Sequence, residues 1–574
     1  QNLVKLNDKY QRDKAAGKKV KRKDRPEPAR PDFLRAAALY EEFVFTFPKD
    51  QRTPEMAFLM GESFYAAGEL SKAVNAYESV AYNYLDKKRG AEAGYSAVLI
   101  LKELMQASAG DPNRVAEFQS WRDHKIESAI SFSDYYPTDP NAVGVLTEAA
   151  QAIFAKNEFT RAAEVAARIT QWQPRPKLEL MKSAYLIVAH SRFDLQEYPE
   201  AEFAYKQLLD FLPATDPDLV QIIERAAAAV YKQSEQQVAA GELAPAVERL
   251  LSIGQLAPGS DIAATAQYDA AAHLITLKDW ARAESVLLDF KARFPTHALV
   301  ATLAPKFAFV YQESQQWGKA ASALAVMAAT ATTEDERRQA LYLSAELYEK
   351  SGNITQAIEK YRDYASKYPN PFDIATEARF HLVELYGSTN QVSKRNYWLQ
   401  ELIKQDAQAG AGRTDRSKYL AAFATAKFAD DEFARYETIK LTLPLKASLK
   451  RKRSALDVTL KAYRKVLDYG VAEFATQANH RIGNIYMRLA KDLMNSQRPN
   501  GLDDLALEQY EILLEEQALP FEEKAIDILA SNAQRAWTGI YDDWVKESFD
   551  TLAKILPARY GKKEQKVEFS DAIF

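Results

Sequence analysis

Apolar and small residues recur along this chain with a 37-residue period between about Ser234 and Pro369. Alanine stands at Ala246, Ala283, Ala320 and Ala357. A large residue follows one helical turn later at Leu250, Leu287, Leu324 and Tyr361, and another at Ile253, Phe290, Met327 and Tyr364. Upstream of each alanine sits a second small column, Ser234, Ala271, Ala308 and Ala345. Pro258, Pro295 and Pro369 close three units, and Thr332 stands in the fourth.

Three- and four-residue spacing is the signature of a helix face. Each unit therefore reads as two antiparallel helices. The small columns mark where the helices cross closely. The proline follows the second helix because it cannot continue one. One pair cannot bury its own apolar face, so successive pairs must stack.

Looser copies precede the regular stretch. They are Ala36, Tyr40, Phe43 and Pro48; Gly61, Phe64, Gly68, Ala73, Tyr77 and Val80; Ala162, Ala166, Ile169 and Pro174; and Ala201, Tyr205, Leu208 and Pro213. The expected organisation is a basic, flexible arm over 1–30, about nine to ten helix pairs over 31–403, a loop boundary over 404–416 and a C-terminal helical module over 417–574. Gly410 and Gly412 in a polar stretch carry the boundary. Beyond it the pattern predicts helices over Tyr419–Tyr436, from Lys446 onward, and over Val471–Ser496, Asp503–Glu516 and Phe521–Leu552.

At 574 residues the chain exceeds one ordinary domain, as an array requires. Its 75 basic and 79 acidic residues nearly cancel, giving a net charge of -4 and no global attraction to nucleic acid. No apolar run is long enough to span a bilayer. Cysteine is absent, which removes disulfides, thiolate metal sites and cysteine nucleophiles. The chain opens at Gln1, so a processed or truncated product is expected, with any targeting segment already removed.

Gly61, Phe64, Gly68, Ala73 and Tyr77 resemble the tetratricopeptide consensus, as do Ala345, Tyr348, Gly352, Ala357 and Tyr361. The usual unit is about 34 residues. The resemblance covers roughly 31–403 and implies an all-α fold, a right-handed tetratricopeptide-like solenoid that binds other proteins. Glu515–Ile526 (EEQALPFEEKAI) and Leu556–Lys562 (LPARYGK) resemble the ends of large bacterial envelope tetratricopeptide scaffolds, which accompany Tol- or TonB-type motors and gliding machinery. The repeats also resemble the lipoprotein of the outer-membrane barrel-assembly machinery and the periplasmic cell-division coordinator. These resemblances imply a periplasmic scaffold near the outer membrane, with a cytoplasmic scaffold as the alternative. A lipid anchor would need a cysteine upstream of Gln1.

No catalytic, metal or cofactor constellation is apparent. Glu377, His381 and Glu384 fall on one helix face, which reads as a solvated surface rather than a metal site. Gly410–Asp415 gives only a fragment of a dinucleotide motif. Two basic clusters read as a flexible arm and a charged helix surface, with partner or lipid docking as the alternative. They are Lys18, Lys19, Lys21, Arg22 and Lys23, and Lys446, Lys450, Arg451, Lys452 and Arg453.

The resemblance places the first helix of each unit on a partner-binding groove. Aligning on the small column puts Phe58, Glu62, Tyr65, His190, Phe193, Tyr268, Phe309, Gln312, Tyr342, Glu346 and Glu349 there. An aromatic, acidic groove suits an extended or helical peptide with apolar anchors and basic charge. The expected function is a non-catalytic scaffold organising a multiprotein envelope complex through protein partners, without nucleic acid and not transmembrane, with a peripheral membrane contact as an option. The alternative is an adaptor presenting substrates to a periplasmic protease or a polysaccharide export system.

Overall fold

A computed structural model describes residues 9–10, 12–19 and 30–562. Among the described residues the regular structure is helical, with no strand. The chain divides into two compact units, Gln1–Val300 and Ala301–Phe574.

The first unit holds α1 (Arg30–Thr46), α2 (Thr53–Ala66), α3 (Leu70–Glu78), α4 (Gly90–Ala107) and α5 (Val115–Tyr135). It continues with α6 (Ala142–Ala155), α7 (Phe159–Thr170), α8 (Leu178–Asp194) and α9 (Tyr198–Leu209). It ends with α10 (Leu219–Ala239), α11 (Leu243–Leu256), α12 (Asp261–Thr276) and α13 (Trp280–Arg293). The second unit holds α14 (Leu303–Glu313), α15 (Trp317–Thr330), α16 (Glu334–Lys350), α17 (Ile354–Lys367), α18 (Phe372–Ser388) and α19 (Val392–Gln408). Then come α20 (Asp415–Thr438), α21 (Leu445–Leu467), α22 (Ala472–Met494), α23 (Asp504–Gln534), α24 (Asp543–Ile555) and the short α25 (Pro557–Tyr560).

Within each unit every helix packs on the next one in sequence, as a stack of pairs demands. The alanine column is the crossing point: Ala73, Ala162, Ala201, Ala246, Ala283, Ala320 and Ala357 are all fully buried. The large column beside it fills the core, with Tyr77, Tyr205, Leu250, Leu287 and Tyr361 buried.

The turn inside each pair has one geometry that the sequence shows only in part. Gly68, Gly241 and Gly352 take a left-handed φ there, as their glycines suggest. Asn157, Gln196, Lys278, Gln315 and Asn390 take the same conformation without that freedom. The next residue then adopts φ near -85° in every case, for example Glu69, Gln316 and Asn353, and launches the second helix. A left-handed non-glycine residue costs roughly 1–2 kcal/mol. Gly352→Ala is therefore expected to lower stability by about 1 kcal/mol, and Gln315→Gly to raise it by less, because glycine loses more chain entropy on folding. Urea midpoints of the two variants would check both signs.

The C-terminal helices depart from expectation in three places. The helix expected over Phe521–Leu552 is two: the short turn Arg535–Thr538 and left-handed Gly539 end α23, and Asp542 caps a new start for α24. Pro520 does not end a helix, and α23 runs through it from Asp504 to Gln534. Buried residues on both sides of it, Leu514 and Ala518 before and Ala525 and Leu529 after, hold the helix on α22, and Pro520 faces solvent. Packing thus outweighs the lost backbone bond. The glycine-rich link between α19 and α20 is also short. Buried Asp406 accepts from Arg413 Nη2 at 2.7 Å and from Ser417 Oγ at 2.7 Å, while a Thr414–Ser417 capping box starts α20.

A buried polar network joins α22, α23 and α24. His480 Nδ1 lies 3.0 Å from Ser548 Oγ, and Asn532 Nδ2 donates to Ser548 Oγ at 3.0 Å and to the Thr476 carbonyl at 3.1 Å. Burial, then the charge of Arg481, pushes His480 down to about 4. An unfolded histidine titrates near 6.5. Between those values the unfolded chain binds the extra proton, so the stabilisation is complete above about pH 6.5 and is lost as pH falls toward about 4. The expected slope is at most about 1.4 kcal/mol per pH unit. Urea titrations across that window should show it, and His480→Gln should flatten it.

Candidate partner-binding groove

Tyr342, Glu346 and Glu349 fall one turn apart along α16, so they share a face. The Tyr342 ring meets Tyr361 and Tyr364 of α17 edge to face, at 5.8 Å and 5.2 Å between centroids. Tyr361 is fully buried and donates its hydroxyl to Glu349 Oε2 at 3.0 Å. From α18, His381 stacks flat on Tyr361 at 4.7 Å, with its Nδ1 3.1 Å from Glu349 Oε2. Glu349 is thus the node of a cluster spanning three helices.

The charges follow from this arrangement. The Glu349 carboxylate beside it raises the pKa of His381, against the opposing effect of burial. Glu349 is lowered in return, chiefly by His381. Glu346, one turn away and half-buried, has no hydrogen-bond or ion-pair partner among the described residues. Burial raises its pKa. A partly desolvated carboxylate with no internal partner, beside an aromatic wall, is suited to a cationic side chain brought by a partner.

The first unit repeats part of this pattern at the same register. Phe58 stands where Tyr342 does, Glu62 where Glu346 does, and Tyr77 where Tyr361 does. Phe58 meets Tyr77 edge to face at 5.6 Å, and Tyr77 donates its hydroxyl to Glu62. Phe58 is not on the surface as expected: it is only 5% exposed, and Arg89 covers its ring at 4.6 Å. Tyr65 and Phe309 are exposed. His190 is half-buried between Phe154 and Tyr205, Phe193 packs on Tyr198, and Tyr268 packs on Phe290. Gln312 donates to the Ala308 carbonyl of its own helix. The structure therefore gathers Tyr342, Glu346 and Glu349 into one site around Tyr361.

Two residues of that site, Tyr361 and His381, were not among the groove positions. His381 was visible as part of the Glu377–His381–Glu384 run, but that run does not converge. Glu377 pairs with Arg416 at 2.7 Å, while His381 turns to Glu349.

The basic clusters separate in the same way. Lys446, Lys450, Arg451 and Arg453 are exposed on α21. Lys452 is not a docking residue: it is fully buried. Its ammonium donates to the carbonyls of Tyr436 at 2.8 Å and Ile439 at 2.9 Å, pairs with Asp492 at 2.8 Å, and sits over the Tyr436 ring at 3.9 Å. It closes the C-terminal end of α20, where exposed carbonyls and the helix dipole favour a cation. Lys18 and Lys19 are exposed, and Lys21, Arg22 and Lys23 lie outside the described residues.

An all-α stack of antiparallel pairs, crossing at alanine and turning through one left-handed residue, is a tetratricopeptide-like solenoid fold. Residues 55–84 and 339–371 match the tetratricopeptide repeat family, and they hold the two equivalent aromatic–acid sets. No curated protein matches the chain. Among solved structures the chain is similar to a tetratricopeptide repeat protein from Parabacteroides merdae, at 14% identity over 48% of this chain and 95% of that one, with a TM-score of 0.20. It is also similar to a structure of Naa15/Naa10 bound to HypK-THB, at 12% identity over 99% and 98%, with a TM-score of 0.24. A third similarity is to the P58(IPK) TPR domain, at 12% identity over 66% and 99%, with a TM-score of 0.17.

Proposed function

We propose that this protein is a non-catalytic interaction scaffold of the bacterial cell envelope, working in the periplasm and organising a multiprotein complex. In this reading the α16–α18 face captures a peptide segment of a partner. The observation that carries it is Glu346, a half-buried carboxylate without a hydrogen-bond or ion-pair partner among the described residues, beside Tyr342 and the Glu349–His381 pair. The segment it fits carries a lysine or arginine for Glu346 and an apolar residue for the aromatic wall. The envelope location rests on the resemblance of the C-terminal strings, and among the described residues no helix is long and apolar enough to cross a membrane.

Peptide-array binding to the full chain tests the groove. Peptides pairing a basic with an aromatic or aliphatic residue should be retained, and Glu346→Gln should weaken them about tenfold, roughly 1.4 kcal/mol. Retention that ignores this substitution would sink the proposal. For location, the native protein should appear in the periplasmic fraction and resist protease until the outer membrane is opened.

The pair also predicts a pH dependence. The folded pKa of His381 lies above its unfolded value, so its bond to Glu349 is complete below about pH 6.5 and fades as pH rises through the folded value. Basic peptides should therefore bind more tightly above the folded His381 value than below pH 6.5, because the imidazolium charge beside Glu349 and Glu346 is lost. His381→Gln should remove that difference in an anisotropy titration.

A further inference from the structure

α23 buries one line of residues against α22, Leu514, Ala518, Ala525 and Leu529. On its other side Leu505, Ile512 and Leu519 follow one another at seven-residue steps. They are 67%, 52% and 51% exposed. At about 100° per residue, this stripe lies about 130° around the helix from the buried line and runs for about 21 Å. Among the described elements, the substantial packing of α23 is with α22, α24 and the short turn Arg535–Thr538.

The flanks of the stripe are acidic. Glu508, Glu515, Glu516 and Glu523 are exposed around it, and none forms an ion pair among the described residues. An apolar seam with carboxylates on both sides is half of a charged helix–helix interface. The charge decides the occupant. A second copy of α23 would set carboxylate against carboxylate, and an anionic lipid surface would be repelled.

We propose that this face docks an amphipathic helix of a partner protein, with leucine-type residues in the seam and lysine or arginine on both edges. The surface is separate from the α16–α18 groove and does not depend on that reading.

The test uses the full chain and two labelled three-heptad synthetic helices with leucine seams, one flanked by lysine and one by glutamate. The lysine helix is expected to bind in an anisotropy titration, and the glutamate helix to bind at least about tenfold more weakly. In a Glu346→Gln background, which weakens the groove's own hold on basic peptides, the lysine helix should still bind, and adding Leu505→Ser/Ile512→Ser/Leu519→Ser should lose it, with helicity unchanged by circular dichroism. Glu508→Lys/Glu515→Lys/Glu516→Lys should reverse the preference. Equal binding of both helices, binding indifferent to the triple serine variant, or a dimer in sedimentation that this variant dissolves would each overturn the proposal.

Discussion

Lys452→Met is expected to lower the unfolding free energy by about 3–5 kcal/mol, the loss typical when one partner of a buried ionic contact is removed. Methionine keeps the length and apolar body of the side chain, so little packing is lost. What disappears is the ammonium that holds the Tyr436 and Ile439 carbonyls and the Asp492 carboxylate. Those groups remain in a site where Lys452 itself is fully buried, and water cannot readily replace the donor. Lys450→Met, two positions away on the exposed face, provides the contrast and should stay within about 0.5 kcal/mol of the parent. Urea denaturation of the full chain followed by circular dichroism would measure both. Equal effects of the two substitutions would mean that the ammonium contributes nothing to the end of α20.

Tyr361→Ala carries the second large effect, about 3–5 kcal/mol by analogy with other aromatic truncations in cores. The ring is fully buried between Tyr342 and the stacked His381, and its hydroxyl holds Glu349. Alanine would open a cavity against α18 and free the histidine. Tyr361→Phe removes only the hydroxyl bond to a charged acceptor and should cost about 1.5 kcal/mol. The same urea measurement separates the two. If phenylalanine proved as damaging as alanine, the hydroxyl rather than the ring would be holding the repeat together.

The alanine and large-residue columns were readable because core packing constrains residue size at fixed intervals, and that constraint is written directly in the sequence. The left-handed turns were readable only at Gly68, Gly241 and Gly352. At Lys278 or Gln315 the backbone is set by the helices on either side, and the side chain does not announce it. Lys452 was hidden in a cluster of five basic residues, where charge suggests exposure. The helical period gave the better signal: Ser448, Lys452, Leu456 and Thr459 form one buried line.

The groove shows the same division. Tyr342, Glu346 and Glu349 followed from the register alone. His381 did not, because it joins the site from the next pair, where the step from Gly352 to Asn390 is one residue longer than the regular period. Phe58 had the correct register but the wrong exposure, since Arg89 arrives over its ring from the turn before α4.

Packing of each helix on the next in sequence has a consequence for biosynthesis. Within each unit, a helix needs only the few dozen residues just before it to bury its apolar face, so loop closure is cheap. Structure can then accumulate from the N-terminal side as the chain emerges into the compartment where it folds, with one helix at a time awaiting its successor. A unit still forming exposes a single apolar edge, and folding advances along a moving boundary rather than by one collapse of the finished chain.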